Sequence, residues 1–531
     1  MGHKSLRENL KALEAANLLF RVDKTICKDT ELMPLVKWQF RGLPENKRRA
    51  WFFSSIVDGG GKSFDADLAV ATIGASRDVY ACALDCKVEE INEKWSNARA
   101  NPIKPVLIES RLAPVKECVI KGEALLAYNL DSLPIPVLLP GLDVAPFFTG
   151  AAWVTKDPET GFRNVGNYRG HVKAPNRVCF FSAPNNHGHL HWAKWKKTGA
   201  KYMEVAAVIG APPAVNMTAV SKLPYGVDEF EVAGGLLGEP VELVKCETVD
   251  LEVPAHAEII IEGRVSTELL EPEGPFGEFA GFMGGREMAP PVEITCITYR
   301  KRPIWHAFIS EFPPSESSMI RIIANESQYF DLLKNRCNVG GLLDVCFHEP
   351  SGAQHLMVLK MKKANNAEPM RAMMAAASVD PAYGKIIIAV DENVDPRDMD
   401  SVMWAMTFCT QPHRDIQIVK HRSGFIDPSA APFDAPLSEK SYPHPNGASA
   451  IFIDATRKWD YPPISLPTEE YMVQAKQIWE QLALPELTPK FPWFGYPLGN
   501  WPAAWIEEAE LAAQGRYKEL GERHARATKP C

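Results

Sequence analysis

Residues 273–278 read Glu273-Gly274-Pro275-Phe276-Gly277-Glu278. The two carboxylates are five residues apart, and the Gly, Pro and Gly between them bend and stiffen the backbone instead of continuing a helix or a ladder strand. A surface acidic turn has this composition. So does a carboxylate pair poised for acid–base work, in which one charge raises the pKa of the other. The flanks set the context: residues 203–209, 257–262 and 292–299 are short runs rich in β-branched side chains, punctuated by Gly and Pro. They predict a β-rich barrel or sandwich over residues 150–310.

Upstream, Ser5 and Glu8 form an S-x-x-E capping box ahead of the Leu6, Leu10, Leu13 stripe of a first helix. A buried strand over 51–57 ends at Asp58-Gly59-Gly60-Gly61, and a helix over 76–84 follows. Alternating elements of this kind indicate an α/β arrangement. Residues 101–150 are proline-rich and read as loops and edges. Downstream, a helix over 319–335 leads to a further α/β region with strands over 355–361, 385–390 and 448–453. Helices are expected over 367–378 and over 399–409, where Asp398 serves as N-cap. Two more are expected in the tail, over 468–482 and 503–522. The expected division is 1–120, 121–318, a linker helix over 319–339, and 340–531.

The 531 residues carry a net charge of −8, with 46% hydrophobic and 23% charged side chains. That supplies several cores and lacks the basic balance of a non-specific nucleic-acid binder. The 11 cysteines are scattered without a CxxC pair, which fits reduced thiols. No run approaches a membrane span and the N-terminus lacks the apolar stretch of a signal peptide, so a cytoplasmic protein is expected, with neither membrane nor nucleic acid as partner. Gly61-Lys62-Ser63 resembles the end of a P-loop, but Ile56 stands where the motif needs glycine. No G-x-S-x-G elbow and no G-x-G-x-x-G fingerprint occurs. His187, His189 and His191 would share one face of a strand, whereas on a helix only His187 and His191 would.

Several ordered motifs resemble those of UbiD-type decarboxylases. The 273–278 segment with Phe279-Ala280-Gly281 is similar to the family signature. Residues 244–251 with Val253-Pro254-Ala255 resemble a second hallmark, and Asn164-Val165-Gly166-Asn167-Tyr168-Arg169 a third. Ala211-Pro212-Pro213, Val390-Asp391, Phe425-Ile426-Asp427-Pro428 and Ile453-Asp454-Ala455-Thr456 stand in the family's order.

The resemblance implies a multidomain α/β (α+β) chain. Its parts would be an N-terminal α/β prenylated-FMN-binding region, a central split β-barrel of flavin-reductase type, and a C-terminal α/β oligomerisation domain with a helical tail. It implies prenylated FMN held through Mn²⁺ or Mg²⁺, with K⁺ as an additional candidate ion. The metal ligands would be Asn164, His187 and Glu247, with His189 and His191 as rivals to His187. Gly166 and Lys385 are further cofactor contacts. Arg169, Glu273 and Glu278 would form the catalytic network: Glu278 donates the proton that replaces CO₂, Arg169 holds the substrate carboxylate or the flavin edge, and Glu273 positions Arg169. The reaction so implied is reversible, non-oxidative decarboxylation of an unsaturated, aromatic acid or its CoA thioester through a covalent cofactor adduct. The implied partners are a prenyltransferase supplying the flavin and further copies of the chain, as dimer or hexamer. The alternatives are carboxylation in the reverse direction and a non-catalytic subunit, and the intact trio speaks against the latter.

Overall fold

The computed structural model describes residues 2–526 except 185, 425, 437, 438 and 440–446. Phe425 and the terminal Cys531 therefore lie outside the described residues. At the start, the Ser5 hydroxyl accepts from the Glu8 N–H at 3.2 Å and caps helix Leu6–Ala15, whose Leu6, Leu10 and Leu13 are buried. The expected strand over 51–57 divides into Ala50–Phe53 and Ile56–Val57. The first of these joins a four-stranded sheet in the order Leu19–Val22, Ala50–Phe53, Asp67–Val70, Ile304–Ala307. Its last strand arrives from far downstream and pairs in parallel with Asp67–Val70.

A nine-stranded antiparallel sheet forms the centre. Its main path runs Arg163–Asn167, Ala152–Lys156, Tyr202–Ile209, Ile259–Ser266, Pro291–Tyr299, Arg177–Phe181, Arg169–Ala174, Phe147–Phe148. The first and seventh strands on this path are separated in sequence by Tyr168 alone. Six strand spacings in a flat sheet would put them about 29 Å apart. Two Cα–Cα steps reach at most about 7.6 Å. The sheet is therefore rolled until these two strands meet, and Tyr168 sits on the seam.

Strand Tyr202–Ile209 explains why the central runs lack polar alternation. Met203, Val205, Ala207 and Ile209 enter one hydrophobic core, while Ala206 and Val208 enter a second. A sheet buried on both faces needs apolar residues at successive positions. Helices Ile91–Ala100, Pro213–Val220 and Glu229–Leu237 contribute to the second core.

Helix Glu316–Asp331, capped by Ser315, widens into the turn Leu332–Arg336 and leads to a five-stranded sheet. The order there is Leu342–Phe347, Leu356–Met361, Ile386–Asp391, Ser449–Ala455, Ile416–Lys420, with parallel pairings inside and antiparallel ones at the edges. Asp398 caps Met399–Cys409 through the Asp400 N–H. The single helix expected over 503–522 is two, Ala503–Ala513 and Tyr517–Arg526, because the chain turns at Gly515 with φ +76°. These two helices and Glu469–Gln481 bury no residue. The whole is a mixed α/β molecule arranged around a curled sheet. No helix among the described residues is long and apolar enough to cross a membrane.

Candidate active site

The 273–278 turn leaves strand Glu271–Glu273, which pairs with Glu287–Ala289, and enters Phe276–Gly277, which pairs with Met283–Gly284. Gly274 has φ +84°, a left-handed conformation that glycine adopts without strain. Its N–H donates to His171 Nδ1 at 3.1 Å. His171 is buried on the seam strand Arg169–Ala174. Burial, followed by the charges of Lys173 and Arg169, pushes its pKa down to about 4, so it is a neutral acceptor near pH 7.

Two positions along the same strand, hence on the same face, stands Arg169. Its Nε and Nη2 donate to the two oxygens of Glu273 at 2.8 and 2.6 Å, and Nη1 donates to Glu278 Oε1 at 2.6 Å. The guanidinium carbon lies 3.9 Å from the Phe181 ring centre and 4.7 Å from that of Phe276. Burial disfavours the Arg169 charge, but Glu278 and Glu273 outweigh it and hold its pKa above the ordinary value. Glu273 is fully buried, whereas Glu278 keeps 21% of its side chain exposed. The three residues of the expected network therefore meet. Beside them is a mostly apolar cavity of about 120 Å³, lined by Arg169, Glu278, Phe181, Phe282, Met283 and Phe433 among others.

A second, polar cavity of about 460 Å³ is lined by Asn164, Gly166, Tyr168, His187 and Glu229, within the ~300–1,000 Å³ usual for small-molecule sites. The two cavities share a wall. Tyr168, Phe279 and Ser423 line the polar one, while their chain neighbours Arg169, Glu278 and Gly424 line the apolar one. Asn164 Nδ2 donates to Thr155 Oγ1 and Tyr168 Oη, both at 3.3 Å, and its Oδ1 has only a 3.4 Å contact from Tyr168 Oη. Glu229 opens helix Glu229–Leu237 after the N-cap Asp228 and accepts from the Val165 N–H at 2.9 Å. Burial pushes its carboxyl up to about 8 despite that hydrogen bond. A β-carbon on Gly166 would overlap the Tyr168 ring, so only backbone is available there.

The three histidines lie on helix His187–Lys197 and have separate fates. His187 lines the polar cavity, and burial lowers its pKa and keeps it neutral. His191 is buried against Thr155 Oγ1 at 2.9 Å, and His189 packs beside Trp192.

Two expected contacts require correction. Glu247 lines neither cavity. Following strand Glu242–Lys245, it pairs with Lys116 at 3.2 Å and Lys121 at 3.0 Å, and its N–H donates to Glu262. Lys385 also lines neither cavity; its ammonium is spent on Asp427 at 2.7 Å and Ser429 at 2.8 Å. The acid that does join Asn164 and His187 is Glu229. Its sequence setting, Asp228-Glu229 ahead of an apolar run, reads as an ordinary helix start, so only its burial distinguishes it. His171 is the other residue that sequence reasoning missed.

The polar cavity's donors suit a cation. They are an amide oxygen with a spare acceptor site, a neutral imidazole, and a buried carboxyl whose raised pKa calls for a positive neighbour. An oxygen–nitrogen–oxygen set favours Mn²⁺ or Mg²⁺ over thiophilic metals. Among the described residues no three His, Cys, Asp or Glu side chains converge on a metal position; here the third donor is an amide.

Residues 107–312 match the model of the 3-octaprenyl-4-hydroxybenzoate carboxy-lyase Rift-related domain, and residues 318–455 that of the carboxy-lyase's C-terminal domain. An uncharacterized protein of Archaeoglobus fulgidus is 35% identical over 348 residues, covering 65% of this chain and 68% of that one. Among solved structures, the UbiD-class enzyme HmfF from Pelotomaculum thermopropionicum in complex with FMN superposes with a TM-score of 0.77 at 31% identity, covering 89% of this chain and 99% of HmfF. An evolved dimeric form of the same enzyme, in complex with prFMN, gives 0.75 at 31%, covering 88% and 97%. Vanillic acid decarboxylase of Sedimentibacter hydroxybenzoicus in its closed form gives 0.75 at 26%, covering 90% and 99%.

Proposed function

We propose, from the premise that this chain belongs to the UbiD family of prenylated-FMN-dependent carboxy-lyases, that it removes the carboxylate from a single-ring aromatic acid. The observation that carries this reading is the buried Arg169 fork, held between Glu273 and Glu278 on the wall shared by the two cavities.

Asn164, His187 and Glu229 would hold the divalent metal, and the polar cavity the phosphate end of the flavin. Glu229 thus takes the place first expected for Glu247. When bound, the prenylated flavin supplies the electron sink for the pair left behind as CO₂ departs, a task no side chain performs well. The chain's own residues do the rest. Glu273 fixes the guanidinium plane through both carboxylate oxygens, and Phe181 and Phe276 hold it from its faces. Arg169 then presents a fixed charge to the acid or the flavin edge. Glu278 is the one member of the trio with partial exposure, and it delivers the proton that replaces CO₂.

The apolar cavity supports a free acid over a CoA thioester. Its volume of about 120 Å³ is near the ~150 Å³ that accommodates one benzene ring. Arg169 is the only cation among its described lining residues, and both its carboxylate partners are already in place. A prenyltransferase that supplies the flavin would be the required partner enzyme.

The test is Glu278→Gln, produced alongside such a prenyltransferase. The variant should retain the bound-flavin absorbance, lose CO₂ release from a panel of single-ring aromatic acids, and cease to exchange solvent deuterium into the product. Wild-type turnover by this variant would remove Glu278 from the reaction.

A further inference from the structure

Residues 310–313 pass beneath the catalytic turn and bring to it a combination that works against folding. A β-carbon built on Gly277 would stand 2.7 Å from Glu311 Cγ, and one on Gly281 would stand 3.1 Å from both Phe312 and Pro313. The Glu311 side chain therefore lies directly against the residue preceding Glu278. Glu311 is 4% exposed, and its backbone has φ +67°, the left-handed region that disfavours side chains. Its Oε1 is buried without a hydrogen-bond partner. Burial pushes its pKa up to about 7; Lys37 opposes that rise and Asp143 adds to it.

The segment is gripped from helix Leu32–Gly42. Lys37 Nζ donates to the carbonyls of Ser310 at 2.8 Å and Phe312 at 2.7 Å, and stands 3.9 Å from the Glu311 carboxylate. One turn on, Arg41 donates to the Pro313 carbonyl at 3.1 Å and lies 4.9 Å over the Phe312 ring. The charged groups around Glu311 are thus Lys37 and Arg41 from this helix, Asp143 from the loop that carries Leu139, and Glu278 beyond Gly277. Asp143 is half-buried, with one oxygen out of water and unpartnered. A strained backbone, a buried acid with an orphaned oxygen and a desolvated lysine all oppose folding. Chains keep such conflicts chiefly where function requires them.

We infer that Glu311, clamped by Lys37, is a positioning residue whose side chain props Gly277 and thereby holds Glu278 against Arg169. The inference rests on the reading of Glu278 as proton donor. Ionised Glu311 gives Lys37 a third partner beside its two carbonyls, so the prop stiffens as pH rises through about 7.

The experiment compares wild type, Glu311→Gln and Glu311→Gly. Holoenzymes are assayed with the single-ring aromatic acid that wild type turns over fastest, and thermal unfolding is followed in the same proteins without cofactor. The pKa of Glu311 is raised on folding, so its charge costs stability above that value and its removal should stabilise the protein at pH 8. Glu311→Gln should therefore melt a few degrees higher at pH 8, yet turn over about tenfold more slowly, with KM little changed. The wild-type inflection of kcat near pH 7 should vanish. Glu311→Gly, which also relieves the backbone, should shift both quantities in the same sense. An unchanged kcat, a parallel loss of stability and kcat, a melting point at pH 8 that does not rise, or failure of both variants to fold would each overturn the inference. A Glu278→Gln control separates the two claims. If that variant stays active, the proton-donor reading has failed; if it is inactive while Glu311→Gln matches wild type, only the prop has failed.

Discussion

In the apolar cavity the arginine charge is closed upon itself: Arg169 meets two carboxylates within 2.8 Å and two aromatic faces. Across the shared wall, the polar cavity gathers an amide, a neutral imidazole and a buried carboxyl that accepts from the Val165 N–H, with Lys222 and Arg321 elsewhere on its lining. The rolled sheet supplies Asn164 to one and Arg169 to the other, from the two strands that meet at its seam. The difference is instructive. A cluster whose members already hold one another through charge-assisted hydrogen bonds keeps its geometry before anything binds, which suits groups that must meet a reacting carbon in a fixed orientation. A cluster whose members lack such links to one another leaves room for a ligand to bridge them, which would suit a place where a cation and phosphate dock. Burial by itself therefore says little about function, and the way the members of each cluster are bound to one another says more.

That contrast can be attacked from several directions. The largest effect should come from Arg169→Met, which leaves Glu273 and Glu278 without their shared cation. Removing one partner from a buried ion network costs about 3–5 kcal/mol, so chemical denaturation should show a loss of that order together with loss of activity. A merely local effect on activity, with stability intact, would break the claim that the cluster holds itself together. Next, Glu229→Ala should purify with most of its divalent metal and flavin missing, as read by elemental analysis and absorbance. Retention of both would return the metal site to other residues.

A smaller effect concerns acid. His171 has a folded pKa of about 4 against an ordinary 6.5, so the folded state binds fewer protons than the unfolded one between those values. Its contribution is present above pH 6.5 and is lost as pH falls toward 4, by up to about 3 kcal/mol. His171→Gln keeps a side-chain acceptor for the Gly274 N–H but removes the titration, so its stability should fall less steeply over that window. The smallest effect belongs to Glu247→Ala. It removes the exposed Lys121 pair, worth about 1 kcal/mol at most, and the pair with buried Lys116, which keeps Glu262 at 3.7 Å, and it should leave metal and flavin content unchanged.

How much of this was legible in the sequence depended on whether local pattern and tertiary role agreed. The strand over 203–209 was readable because β-branched density persists even when both faces are buried. The 273–278 turn has the composition of an ordinary surface acidic turn as well, and it stood out through its likeness to the family signature. Glu229 was hidden because an acid in the first turn of a helix is ordinary whether or not it is buried. Glu247 sat within a recognisable motif, yet its side chain points to Lys116 and Lys121, and no spacing rule conveys that direction. In the tail, Gly515 gave the only local hint that the helical run over 503–522 divides. The rolling of the central sheet was legible only as a choice between barrel and sandwich, which the family resemblance narrowed to a barrel, since it follows from pairings between strands far apart in the chain.

The parallel strand Ile304–Ala307 has a consequence for how this molecule is born. It completes the sheet that begins with Leu19–Val22, pairing with Asp67–Val70. At about 5–20 residues per second, the ribosome needs on the order of ten seconds or more to travel from one paired strand to the other. Throughout that interval the edge of Asp67–Val70 waits without its mate, while the chain that will form the rolled sheet is still emerging. Nascent chains of this protein therefore pass through a period in which an apolar strand edge is open to chaperones or to neighbours on the same messenger, and slowing translation just before codon 304 should lengthen it.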